Sequence, residues 1–257
     1  MFISDKLIYL ALHKTGCTHV LKLLTSTPEL NGKIIGKHNT IYDVTKQDLG
    51  DLNSKIKAGN IRNPWDWYVS LWAFGSMGKG GLYDQIVKKS FYRKLNYPVS
   101  FFTPVEEWKH AYSNAEDPQL FKKWLKLLLV SRRKDLIGYG QGRAGSIMGL
   151  LTYRYLGLYS YNFKKQRKVI SSYQEVFEFD KQNNFLDFYI RNENLESDFS
   201  LLMNKLGIET GFAQQISNIP KTNSSVRKNY KEYYDQELME LVNEKERLII
   251  EKHNYKF

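Results

Sequence analysis

The sequence predicts an α/β domain: a short parallel sheet covered by helices, with an inserted, mainly helical basic region. Three strand-to-helix passages carry this expectation. The first begins with Leu7-Ile8-Tyr9-Leu10-Ala11-Leu12, a continuous apolar run of buried-strand length. It passes through His13-Lys14-Thr15-Gly16-Cys17-Thr18-His19 into Val20-Leu21-Lys22-Leu23-Leu24, which has helical spacing. The second strand is expected at Ile56–Ile61, followed by Arg62-Asn63-Pro64 and a helix from Trp65 to about Phe74. Pro64 suits the first turn of a helix, where its missing N–H costs nothing. The third passage is Phe185-Leu186-Asp187-Phe188-Tyr189-Ile190, then a helix over about Leu195–Leu206 that Gly207 ends as a C-cap residue does. Residues 213–230 read as a polar loop. Leu238, Leu241, Val242, Leu248 and Ile249 fall at helical spacing and predict one amphipathic helix over about Asp235–His253. The whole chain, residues 1–257, is expected to form a single domain, with 1–74 and 180–257 as its core and 75–179 as the insertion.

The chain has 257 residues, enough to bury a large core without disulfide or metal staples. Its composition, 42% hydrophobic and 14% aromatic, excludes wholesale disorder. The formal charge of +11 is unevenly spread: residues 75–170 hold 18 basic against 6 acidic side chains, so the remainder is nearly balanced. A basic field of this kind draws anions such as nucleic acid, phosphorylated cofactors, acidic glycans or lipid head groups. It is equally what solvated faces of a Lys-rich chain produce. The one cysteine, Cys17, excludes an intramolecular disulfide and any cysteine-cluster metal site. No apolar run approaches the ~20 residues of a membrane span. The first residues lack a charged region followed by an apolar stretch and a cleavage site, so a cytoplasmic location is expected. On that basis the glycosylation tripeptide Asn223-Ser224-Ser225 is read as chance.

Backbone N–H groups at a helix start, reached through a small-residue turn, form an anion site. Thr15-Gly16-Cys17-Thr18 supplies such a turn after a strand and Lys14 adds charge beside it, placing the fold in a P-loop-like, three-layer class. The order differs from G-x-x-x-x-G-K-[ST], which occurs nowhere in the chain, so the main signature of an ATPase or kinase is missing. A phosphatase-type nucleophile at Cys17 would want an arginine six residues on, where Leu23 stands. The thiol therefore reads as a small packing residue, although a helix start can lower a thiol pKa. Arg62-Asn63-Pro64-Trp65-Asp66-Trp67-Tyr68-Val69-Ser70 leaves a strand with an arginine and carries a serine eight residues later. A guanidinium fork plus a hydroxyl is suited to a phosphate monoester.

Here the chain resembles a family. Lys14-Thr15-Gly16-Cys17-Thr18 resembles the 5′-phosphosulfate loop of sulfotransferases, and Arg62 to Ser70 looks like their 3′-phosphate motif, in the same order and at a similar separation. Asp187 to Leu195 through Asp198-Phe199 is similar to a segment of the carbohydrate-type branch, as is the tail from Tyr230 to Phe257. The resemblance covers about 1–74 and 180–257. It implies use of 3′-phosphoadenosine 5′-phosphosulfate as donor, 3′,5′-adenosine bisphosphate as product, and no metal. It implies that Lys14 is catalytic, binding the bridging oxygen and stabilising the leaving bisphosphate. It also implies that Thr15, Gly16, Cys17 and Thr18 hold the 5′-phosphate and that Arg62 and Ser70 hold the 3′-phosphate. His19 stands where relatives place an aromatic residue against adenine. An acceptor hydroxyl needs a general base. Of the five histidines, His38 in Gly36-Lys37-His38-Asn39-Thr40 looks like the base of uronyl 2-O-type sulfotransferases, against a structural or surface role. His13 reads as a strand-end packing residue.

Relatives build acceptor sites where the resemblance here is weakest, so the basic 75–170 segment is expected to meet an acidic or sulfated glycan. The rival from another class is a nucleic-acid-binding protein using that segment on a vestigial nucleotide fold. Arg132-Arg133-Lys134 and Lys164-Lys165-Gln166-Arg167-Lys168, interleaved with Tyr153, Tyr155, Tyr159 and Tyr161, resemble a nucleic-acid patch, but no recognised motif accompanies them. Gly140-Gln141-Gly142-Arg143-Ala144-Gly145 matches G-x-G-x-x-G without a clear preceding strand, and Lys165 stands where the acid is wanted, so a dinucleotide site is discounted. Gly75–Gly81 reads as a surface loop, with a lid over the cofactor as its alternative.

Overall fold

The computed structural model describes residues 1–88, 105–130, 139, 143–208 and 227–257. The strands are β1 (Phe2–Ile3), β2 (Leu7–Leu10), β3 (Lys33–Ile34), β4 (Ile56–Ile61) and β5 (Phe188–Arg191). The longer helices are α1 (Cys17–Thr25), α2 (Pro64–Ser76), α3 (Val105–Ala111), α4 (Pro118–Leu129) and α5 (Leu150–Tyr159). They continue with α6 (Tyr173–Asn183), α7 (Leu195–Lys205), α8 (Gln236–Lys245) and α9 (Arg247–His253). The chain divides into two compact units. One comprises Met1–Asn63, Arg154–Phe163 and Phe179–Ser224; the other comprises Pro64–Tyr153, Lys164–Glu178 and Ser225–Phe257. This partition differs from the expected core and insertion: the helix after the Arg-Asn-Pro turn and the C-terminal tail belong to the second unit.

The first unit holds a five-stranded mixed sheet in the order β3-β1-β2-β4-β5. β2, β4 and β5 are parallel, in register Leu7↔Ile56 and Leu10↔Gly59, then Ala58↔Phe188 and Ile61↔Arg191. The expectation of a wholly parallel sheet is corrected by β1, which runs antiparallel to both β2 and β3. β1 and β3 have only two residues each, too few for any alternation to be legible. The hairpin between β1 and β2 is closed by Ser4, whose Oγ accepts from Leu7 N at 3.1 Å while its own N–H donates to Leu7 O at 2.9 Å. β5 begins at Phe188 rather than Phe185 because the Phe185 amide donates to Tyr159 O at 3.0 Å instead of entering the ladder.

All four residues of β2 are buried, as a strand covered on both faces requires. Val20, Leu23 and Leu24 of α1 and Phe199, Leu202 and Met203 of α7 join Leu7, Tyr9, Ala58 and Ile190 in one core. At Gly59 of β4 a Cβ would lie 2.6 Å from the Tyr159 ring, so only glycine lets that ring lie against the strand. α7 ends as expected: Gly207 takes φ +70° and Ile208 N donates to Met203 O at 3.0 Å.

The second unit is built on α2. Trp72 meets Phe121 at 5.3 Å and Tyr233 at 5.5 Å between ring centroids, and its indole N–H donates to Ala111 O at 2.7 Å. The stretch expected as a loop or lid at Gly75–Gly81 begins inside α2 and continues as a turn, with Gly78 N bonded to Gly75 O and Lys79 N to Phe74 O. The helix expected over Asp235–His253 is two helices, because Glu246 leaves helical geometry at φ −107°, ψ 20°. Arg132-Arg133-Lys134, Gly140 to Gly142, Asn223 to Ser225 and most of the expected 213–230 loop lie outside the described residues. Among the described residues no helix is long and apolar enough to cross a membrane.

Candidate functional site

The loop between β2 and α1 lies in the first unit and is stapled from several sides. Lys14 and Gly16 both take left-handed backbone, φ +62° and +78°. For a non-glycine residue that conformation costs roughly 1–2 kcal/mol, so something must hold Lys14 there. Two side chains grip the carbonyls: Arg62 donates from a guanidinium nitrogen to Lys14 O at 3.0 Å, and Asn60 donates from its amide to Thr15 O at 3.0 Å. Asn60 is itself fully buried and oriented, accepting from the Tyr9 hydroxyl through its side chain and from the Tyr159 hydroxyl, at 2.8 Å, through its backbone carbonyl. Thr15 closes the loop on itself, its hydroxyl donating to Leu12 O at 2.8 Å. That hydroxyl is therefore committed to the fold and offers no proton to a ligand.

Gly16 is the N-cap of α1; it supplies no capping side chain, and no acid stands in the first turn. The positive end of the helix is thus uncompensated by the elements that usually neutralise it. A Cβ on Gly16 would lie 2.7 Å from Leu195 Cδ1 and 2.8 Å from Asn192 Oδ1, so the segment after β5 is seated directly on the loop. Gly16→Ala is therefore expected to destabilise the protein by about 2–4 kcal/mol, the sum of left-handed strain and overpacking. Chemical denaturation checks this; a loss below about 0.5 kcal/mol, the size of a neutral surface change, would show that the loop can move away from Asn192 and Leu195.

Cys17 is buried, and burial pushes its thiol up despite the nearby charges of Lys37 and Lys14, which agrees with a packing role rather than a nucleophile. Thr18 points toward the segment after β3, where its hydroxyl accepts from Lys37 Nζ at 2.8 Å. His19 is buried on α1. Arg62 lies in the first unit, whereas Ser70 is a buried residue of α2 in the second.

His38 is brought to the end of β2. Its Nδ1 lies 2.7 Å from Ala11 O. A carbonyl can only accept, so Nδ1 carries the hydrogen and Nε2 the lone pair in the neutral ring. The ring stacks on His13 with centroids 3.6 Å apart and planes 19° from parallel. Burial keeps His38 below the usual imidazole range, aided by Lys37 and Arg154. Burial and then Arg154 take His13 much further, to about 2. Both rings are thus neutral at neutral pH.

Lys14, Thr15 to Thr18, His38 and Arg62 are accordingly drawn to one end of the parallel strands. Reading the chain alone missed Asn60, Lys37 and Arg154, and took His13 only as a strand-end packing residue. A buried-strand run interrupted by an asparagine was a usable signal for Asn60, and Lys37 was adjacent to a residue already singled out. For Arg154, among aromatics in α5, no local signal exists. Among the described residues no group of three or more His, Cys, Asp or Glu is placed to hold a metal ion. Comparison with family models, curated proteins and solved structures finds no match to this chain.

Proposed function

We propose that the protein is a sulfotransferase of P-loop-like fold that moves a sulfuryl group from 3′-phosphoadenosine 5′-phosphosulfate to an acceptor hydroxyl, on a carbohydrate. The observation that carries the reading is the convergence, at one strand end, of an uncapped helix start, Lys14 held beside it by Arg62, and a histidine with its Nε2 lone pair available. The residues fit such a donor in charge: the loop carries no acid, and Lys14, Lys37 and Arg62 surround it.

The donor supplies an activated sulfuryl group whose transfer, like phosphoryl transfer, needs positioning and charge stabilisation more than covalent help. Lys14 provides positive charge where the bisphosphate leaves. The backbone of Gly16, Cys17 and Thr18 binds the 5′-phosphate at the helix start. Arg62 serves the 3′-phosphate and at the same time keeps the Lys14 carbonyl in place. Nε2 of His38 takes the acceptor proton. The basic segment is assigned to an acidic or sulfated glycan. Part of its charge is already used within the second unit, where Lys122 pairs with Asp235 at 2.5 Å and Lys109 with Glu106 at 2.8 Å.

A thermal-shift titration tests the reading. 3′,5′-Adenosine bisphosphate is expected to raise the melting temperature where AMP and ATP do not, and Lys14→Ala and Arg62→Ala each to weaken its binding in calorimetry. Unchanged affinity in both variants sinks the site. Salt-dependent binding of RNA or DNA with no bisphosphate effect favours the nucleic-acid rival. Labelled donor offered to uronate-containing and neutral glycans at low and high salt judges the acceptor class: equal transfer to both at both salts counts against an acidic acceptor.

A further inference from the structure

We propose that His13 is a positioning residue for His38, its ring serving as the face that holds the His38 imidazole with Nε2 toward the acceptor. The inference rests on the proposed transfer with His38 as base.

His38 lies in irregular chain between β3 and the short helical turn Ile41–Asp43, so no regular element fixes its side chain. Its bond to Ala11 O anchors one atom, Nδ1, at 2.7 Å. A single hydrogen bond on irregular chain leaves the ring free to turn about the donor–acceptor line and to swing off Ala11 O, so the Nε2 lone pair would sweep and the proton would exchange between the two nitrogens. A second ring lying flat at 3.6 Å removes that rotation. Both restraints come from Ala11-Leu12-His13, the run that leads directly into Lys14. Ala11 is fully buried, so the anchor is as rigid as the sheet. The base and the lysine are therefore set relative to one another by three consecutive residues.

The pairing also suits the proton's path. The acceptor oxygen bonds to sulfur as the bond from sulfur to the bridging phosphate oxygen breaks and 3′,5′-adenosine bisphosphate leaves with that electron pair. The acceptor proton passes to Nε2, and His38 becomes an imidazolium that later loses the proton to water. Lys37, Arg154 and the amino group of Met1 all oppose positive charge on these rings. Two imidazoliums face to face would repel strongly, so the pair carries at most one proton. His13, the more deeply buried ring, stays neutral, and its π face lies against the charge that forms on His38.

The test is nitrogen-15 NMR of labelled histidines in the full chain, comparing the wild type with His13→Phe and His13→Leu. In the wild type and His13→Phe, the His38 nitrogens are expected to give two separate shifts, one protonated at Nδ1 and one bare at Nε2. In His13→Leu, which removes the flat face, the two shifts are expected to move toward an average. A His13→Leu protein whose His38 keeps the single Nδ1–H tautomer overturns the proposal. So does a His13→Phe protein that averages like the leucine variant, since stacking would then not be the cause. Turnover is expected to follow the same order, with the leucine variant down by about 10²-fold as for a misplaced catalytic group and the phenylalanine variant close to wild type. Calorimetry with 3′,5′-adenosine bisphosphate separates the two ideas: no binding to the wild type rejects the transferase, whereas the tautomer result judges His13 by itself.

Discussion

Replacing His38 by alanine is expected to lower turnover by about 10²–10⁴-fold, the usual worth of a positioned general base, while leaving affinity for 3′,5′-adenosine bisphosphate nearly unchanged. The separation of the two effects follows from the geometry. His38 is held by Ala11 O and by the His13 ring, not by the Thr15–Thr18 turn. That turn is held instead by Arg62, Asn60 and the Thr15 hydroxyl. The pH dependence has a definite sign. Burial lowers the His38 pKa, so the neutral, proton-accepting form persists below the usual imidazole value of about 6.5. The acid limb of the rate profile should therefore lie below that value. Rates are to be measured on the acceptor class that a labelled-donor screen identifies. A His38→Ala protein with near wild-type turnover removes the assignment. An acid limb above the usual imidazole range contradicts the burial argument.

Glu246→Ala is expected to be the most damaging single change in the second unit. The carboxylate is completely buried at the break between α8 and α9. Its oxygens accept from Leu151 N at 3.0 Å, Thr152 N at 2.7 Å, the Thr152 hydroxyl at 2.6 Å and the Tyr68 hydroxyl. It thus caps the first turn of α5 from almost a hundred residues away. Gly149 makes room for it: a Cβ there would lie 2.0 Å from Glu246 Oε1. Alanine leaves four buried donors without their acceptor and opens a cavity, a loss of about 3–5 kcal/mol for a broken buried polar cluster. For a chain of this size that amounts to a fall in Tm on the order of 10 °C. Glu246→Gln keeps one acceptor oxygen and should lose less. An alanine variant within 1 kcal/mol of wild type by denaturation, well short of the expected loss, would mean that water replaces the carboxylate.

The same group makes stability depend on pH. Burial outweighs the hydrogen bonds and raises its pKa from 4.5 to about 7. The folded state therefore holds the proton more tightly than the unfolded state does. The stability this contributes is complete below about pH 4.5 and is lost as pH rises through 7. His13 acts in the opposite sense: its folded pKa is depressed, so its contribution is present above the usual imidazole range and lost on acidification.

β2, β4 and the helices after them were legible because each is a local pattern. A six-residue apolar run, a glycine turn and a 3.6-residue period need no knowledge of distant chain. The position of Gly207 was legible for the same reason. β1 and β3 were not, since two residues of strand have no period and their pairing is made by the chain returning at Lys33 and Ile34. The break at Glu246 was hidden by an apolar spacing that runs through it. What breaks the helix is a carboxylate drawn inward by donors on α5 and α2, and those neighbours exist only after folding.

The candidate site divides in the same way. The turn Lys14 to Thr18 and Arg62 could be picked out as residue types in an order that suits anion binding, and His38 through the family resemblance. That Thr15 spends its hydroxyl on Leu12, that Asn60 grips the loop from 45 residues away and that Tyr159 holds Asn60 from 99 residues away, could not. By itself the sequence determined that the β2, β4 and β5 regions become strand and that turns and helices follow them, because backbone preference and side-chain periodicity act between near neighbours. Only the tertiary structure decided how the loop is braced, which tautomer His38 holds and which ring lies beneath it. Those outcomes depend on directional contacts of a few ångströms between residues that meet only when the sheet closes.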